Sequence, residues 1–169
     1  NAETGAAIPF AREGFGIVSF AEIGASERTI MTYQLSGRIA YWDLASGNLL
    51  REVASVPYLS AVRLSRDLRY LVGSTGTEAV IVDALSGAVR ARTGFPGVLS
   101  ADFSPEGDRV AIAAGPGRAS GLSLWSLASD SLDRIPDAPA FPTAVIARFA
   151  GQGLLVAARG GEIQTLSWF

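Results

Sequence analysis

The chain has 169 residues, 49% hydrophobic and 18% charged, with a formal net charge of −2 and neither cysteine nor histidine. That much apolar surface excludes a disordered chain, no apolar run reaches the roughly 18 residues of a membrane-spanning helix, and the slightly acidic balance argues against a nucleic-acid partner. Disulfides, thiol nucleophiles, the common zinc sites and any histidine-based triad are excluded outright.

Taken in chain order, the first feature is Asn1-Ala-Glu-Thr-Gly5, a turn-like segment followed by an apolar strand at Ala6–Ala11. The opening on Asn1 rather than methionine fits removal of a leader or upstream domain. The compartment stays open, a periplasmic or extracytoplasmic one being preferred to the cytoplasm. A short apolar strand then closes on Phe20, and Trp42-Asp43-Leu-Ala-Ser-Gly47 follows. Val82-Asp83-Ala-Leu-Ser-Gly87 and Trp125-Ser126-Leu-Ala-Ser-Asp130 superpose on that segment, and Trp168 falls in the same phase, at intervals of about 42 residues. Phe20, Leu64, Phe103 and Phe149 form a second landmark in step with the first, each closing a short strand. Two landmarks in phase define four repeating units.

Within the third unit, Val98–Ser104 reads as a strand, and Pro105-Glu-Gly107-Asp as its turn. Arg109–Ala114, Leu122–Leu127 and Leu132–Ile135 follow as three more strands. Leu59–Ser65 with Tyr70–Ser74, and Ala144–Ala150 with Leu154–Ala158, repeat the pattern in the second and fourth units. No segment sustains a 3.6-residue period, so the fold is expected to be all-β.

These residues carry a resemblance. Trp42-Asp43, the analogous Val82-Asp83 and Trp125, and the turn Phe103-Ser-Pro-Glu-Gly107 are similar to those of WD-repeat β-propellers, over essentially the whole chain. The resemblance implies four four-stranded antiparallel blades around a central channel, in one domain over residues 1–169. The set is smaller than the usual ring, which leaves room for it to be part of a larger one. The family's Gly-His pair is missing throughout, so its His-centred tetrad cannot form. The strand count leaves the last blade short of its outer strand. Ala6–Ala11 is expected to supply it, within one chain or between two, by pairing near Glu162–Ser167.

Among candidate sites, the glycine-rich stretch Gly115–Gly121 joins two strands rather than a strand to a helix, and reads as a long hairpin loop. The acidic stretch Asp130–Asp137 reads as a solvated turn, and Arg12, Arg51, Arg90, Arg92 and Arg134 as charges guarding outer-strand edges. Arg63, Asp102 and Arg148, with Ser19 in the first unit, share one phase on the innermost strands. They are expected to face the channel, with Asp102 in ion-pair reach of Arg63 or Arg148. The loops entering each inner strand carry the aromatics Phe15, Tyr58, Phe95 and Phe141. With Arg118, the last three are the expected partner-binding residues on one rim. No catalytic residue, metal ligand or cofactor is expected. The functional expectation is a non-catalytic protein-interaction or assembly module with protein partners, paired as a homodimer or completed by flanking blades. The alternatives are the propeller part of a periplasmic oxidoreductase or hydrolase whose catalytic groups lie elsewhere, and a small-ligand or glycan sensor using the channel mouth.

Overall fold

Segments such as Thr29–Gln34 and Arg38–Asp43 form strands because alternate side chains fall on opposite faces of a pleat, and their β-branched and aromatic residues fill both. The structure, a computed structural model, describes residues 16–93, 98–114, 121–129, 131–134, 144–150, 153–158 and 163–167. The strands are β1 (Val18–Ile23), β2 (Thr29–Gln34), β3 (Arg38–Asp43), β4 (Leu49–Ala54), β5 (Ser60–Leu64), β6 (Tyr70–Ser74), β7 (Ala79–Asp83), β8 (Val89–Thr93), β9 (Val98–Phe103), β10 (Arg109–Ala114), β11 (Gly121–Ser126), β12 (Ser131–Arg134), β13 (Ala144–Ala150), β14 (Gly153–Ala158) and β15 (Ile163–Ser167). They make four antiparallel meanders: sheet I is β1-β2-β3-β4, sheet II β5-β6-β7-β8, sheet III β9-β10-β11-β12 and sheet IV β13-β14-β15. The strand expected at Ala6–Ala11 lies outside the described residues. Sheet IV is therefore described with three strands, where four were expected. Among the described residues no helix is long and apolar enough to cross a membrane.

The sheets stack face against face. Met31, Tyr33, Ile39 and Tyr41 of sheet I share one buried cluster with Val62 and Leu64 of sheet II. Val72 and Ile81 of sheet II share a second with Val98, Phe103 and Val110 of sheet III. Each such side chain, taken from water, contributes about 1.5–3 kcal/mol. In both clusters the innermost strand of one sheet packs its marker residue, Leu64 or Phe103, toward the sheet before it.

Register corrects the sequence reading at one point. Leu64 pairs with Leu71 and Leu71 with Val82, Phe103 with Val110 and Val110 with Trp125, and Phe149 with Leu154. In sheet I the matching series is Ile23, Ile30 and Trp42, so the marker is Ile23 and not Phe20. The apolar run ending at Phe20 is broken by a bulge between Val18 and Phe20. Beyond it Phe20 lies opposite Tyr33, on the face that packs toward sheet II. The equivalent of Arg63, Asp102 and Arg148 is therefore Glu22, not Ser19. In chain order the four inner strands carry charges that alternate in sign.

Candidate functional site

The two aspartates of the repeated motif are turn builders. Asp43 Oδ1 accepts from the Ser46 backbone N–H at 2.7 Å and from its hydroxyl at 2.6 Å. Asp83 Oδ1 accepts from the backbone N–H groups of Leu85 and Ser86 and from the Ser86 hydroxyl. The hydroxyl and amide bonds of Ser46 hold the Asp43 carboxyl below its ordinary value. At Asp83 partial burial works the other way, and the bonds from Ser86 and Leu85 outweigh it. Neither carboxylate is aimed at a ligand. Both terminate β-strands.

The loop between sheets I and II is fixed by one phenol. The Tyr33 hydroxyl donates to the Val56 carbonyl at 2.7 Å and accepts from the Leu59 N–H at 2.9 Å. The Tyr58 N–H donates to the Leu35 carbonyl and the Ser55 N–H to that of Gly37, which joins this loop to the β2–β3 turn on one rim. Held this way, Tyr58 has φ of +58° and its side chain is 76% exposed. Left-handed backbone at a bulky residue is strained, and the exposed ring gains no burial in return. Of the four predicted rim residues, Tyr58 is on this rim. Phe95, Phe141 and Arg118 lie outside the described residues, as does Phe15.

The opposite rim gathers the other turns, through bonds from the N–H groups of Leu44, Ala84 and Leu127 to the carbonyls of Arg28, Arg69 and Asp108. A bay of about 630 Å³ opens there, lined among others by Glu22, Glu27, Arg66, Asp102, Pro105 and Phe149. Burial, ahead of the opposing pull of Arg63 and a smaller push from Asp102, raises the Glu22 carboxyl above its ordinary value. The structure does not form the expected Asp102 ion pair. The Asp102 carboxylate accepts from the Phe149 backbone N–H at 2.9 Å, and the described ion pairs are Arg38–Glu52, Arg92–Glu78 and Arg109–Asp108. Arg148 Nη1 donates to the Ser100 hydroxyl and the Ala147 carbonyl, each at 2.8 Å. Arg63 lies over the Phe20 ring, 5.9 Å from its centroid, and bonds the Val62 carbonyl. A backbone N–H facing the neighbouring strand must find an acceptor, and the carboxylate supplies it. These charges stitch sheets together. Among the described residues no group of three His, Cys, Asp or Glu is placed to hold a metal.

Four-stranded meanders stacked face to face, innermost strands toward a common bay, are propeller blades. The model of the family described as N-terminal beta-propeller domain matches residues 5–101, more than half of the chain. The chain belongs to that family. No curated protein matches the propeller by sequence. Among solved structures it is similar to Kuenenia stuttgartiensis hydrazine synthase, with a TM-score of 0.65 and 12% identity over 93% of this chain and 49% of that one. At that identity the likeness is one of fold. The propeller spans about half the length of the chain it matches.

Proposed function

We propose that this propeller is a non-catalytic protein-interaction and assembly module, WD-like in its repeated turns, whose partner engages the rim that carries Tyr58. The observation behind this reading is Tyr58 itself. An aromatic ring stands in solvent on left-handed backbone, in a loop already pinned by Tyr33. A rigid, solvent-facing aromatic lowers the ordering cost of binding and concentrates interface energy. The absence of histidine and cysteine from the sequence supports a role without histidine- or thiol-based chemistry of its own.

The test uses Tyr58→Asn, because asparagine tolerates left-handed backbone and removes the ring. Stability should hold or rise by up to about 1 kcal/mol, while a photo-crosslinker at position 58 captures a protein in the producing cells that one at Glu106, on the opposite rim, does not. Co-purification of that protein should fall at least tenfold in Tyr58→Asn. A variant that loses stability but keeps its partner makes Tyr58 a packing residue and ends the reading.

A further inference from the structure

In blades I and II, where every residue from 16 to 93 is described, the two rims differ in charge. On the bay rim the loops 24–28, 44–48, 65–69 and 84–88 carry Glu27, Arg28, Arg66, Asp67 and Arg69. On the Tyr58 rim the loops 35–37, 55–59 and 75–78, with the entry to β1 at 16–17, carry Glu78 alone. Glu78 is held in an ion pair by Arg92. Arg38, the first residue of β3 and next to the 35–37 turn, is held by Glu52 at 3.2 Å.

On this neutral ground stand the two most exposed large apolar side chains among the described residues, Tyr58 at 76% and Ile17 at 73%. Leu35 ties them to one another through its backbone. Its N–H donates to the Ile17 carbonyl at 3.1 Å, and its carbonyl accepts from the Tyr58 N–H at 2.8 Å. Pro57 is exposed as well, and its ring fixes the backbone next to Tyr58. The other exposed residues of these loops, Gly16, Ser36, Thr75, Gly76 and Thr77, are uncharged. Apolar anchors, an aromatic among them, on a charge-depleted surface are the composition of the buried centre of a protein interface.

Given a partner on the Tyr58 rim, on which this rests, we infer that it docks there with an uncharged, apolar protein segment, and that Ile17 is a second anchor beside Tyr58. A charged segment laid on this rim would lose its hydration and find both ion pairs already closed. An apolar segment instead removes Ile17, Pro57 and Tyr58 from water. With no unpaired charge in these loops, the rim does not steer a charged partner toward itself, so association is insensitive to salt. A protein is favoured over a lipid surface because membrane-facing surfaces draw on free basic residues, and here both arginines are paired. Recognition then rests on shape and apolar burial, with both anchors tied through Leu35 before the partner arrives.

The probe is a phage-displayed library of short random peptides, selected on the whole chain. Peptides that lose at least tenfold in affinity on Tyr58→Asn should carry less than half the charged residues of the unselected library. They should lose as much on Ile17→Ser, and hold their affinity to the parent across a tenfold rise in salt. Ile17→Ser, at an exposed position, should leave circular dichroism and thermal unfolding in place. Arg66→Ser, on the bay rim, should leave binding unchanged. Tyr58-dependent peptides rich in charge, binding that weakens with salt, or binding indifferent to Ile17→Ser would each overturn the neutral contact while Tyr58 keeps its partner. Finding no peptide that depends on Tyr58 removes both. Uptake by neutral phospholipid vesicles that both substitutions abolish would make the rim a lipid contact, and equally overturns the proposal.

Discussion

The indole of Trp42 and that of Trp125 occupy equivalent positions and meet different fates. Trp42 Nε1 donates to the Thr32 hydroxyl at 2.9 Å, whereas Trp125 Nε1 is buried with no hydrogen-bond partner. The register gives the reason: the place of Thr32 is taken in blade III by Ile112, which offers no acceptor. Thr32→Val keeps the shape and removes the acceptor, so it should cost about 1–3 kcal/mol in urea unfolding, the penalty for orphaning a buried donor. The turn aspartates respond to pH. Both folded carboxyls sit below their ordinary value, so their contribution is present above that value and drains as pH falls through the folded one. Asp43→Ala and Asp83→Ala should each lower the thermal midpoint at neutral pH. The gap from the parent should close as pH is taken below 3.8, the ordinary value of both groups.

At the scale of the element, the turns decide how closely blades approach. Gly87 ends the Asp83 turn of blade II with φ of +75°, and a Cβ there would stand 2.0 Å from the Ala54 carbonyl oxygen on β4 of blade I. Gly107 has φ of +74° and nothing within 4 Å of such a Cβ. The pair separates two costs. Gly107→Ala should lose only left-handed strain, about 1–2 kcal/mol, while Gly87→Ala adds a backbone clash between blades and should lose about 3–5 kcal/mol. Equal losses would mean that the blades slide apart freely at that seam. Leu68 is the counterpart of Gly107 in blade II and keeps a left-handed backbone, φ +59°, without being glycine. Its side chain is buried in the cluster between blades I and II, and that burial offsets the strain.

Across the whole molecule, tyrosines couple neighbouring blades. The Tyr41 hydroxyl donates to the Leu68 carbonyl at 3.0 Å, from blade I to the first turn of blade II. Burial, partly offset by Arg51 and aided by Asp83 and Asp67, pushes its phenol from 10.0 up to about 12. A folded value above the unfolded one means that the stabilisation is whole below pH 10 and is lost as pH rises toward 12. Chemical denaturation of the single chain should therefore give a plateau up to pH 10 and a fall beyond it. Tyr41→Phe should lower the plateau by about 1 kcal/mol and flatten that fall. A fall unchanged in Tyr41→Phe would place the alkaline weakness elsewhere, with Tyr33, whose phenol burial also raises, the next to test.

The repeat, its strands and its turns were legible in the sequence because each is set by near neighbours. Period-two alternation makes the strand, and Asp-x-x-Ser-Gly closes the turn through its own hydroxyls and amides. The period of about 42 residues then placed Arg63, Asp102 and Arg148 at one depth, and Tyr58 on the rim the structure assigns it. The marker of blade I was missed because a bulge displaces the count, and only hydrogen-bond register across to β2 shows Ile23, and with it Glu22, in the equivalent places. The partner of Asp102 was missed for a different reason. Charge in a sequence points to opposite charge, but inside the stack the nearest unsatisfied group is a backbone N–H of the next blade, and every residue but proline has one. That Ile23 is exposed and Leu64 buried was equally invisible, since the two are interchangeable as letters. Whether an apolar side chain is core or surface depends on what stands across from it, and that is decided by tertiary packing alone.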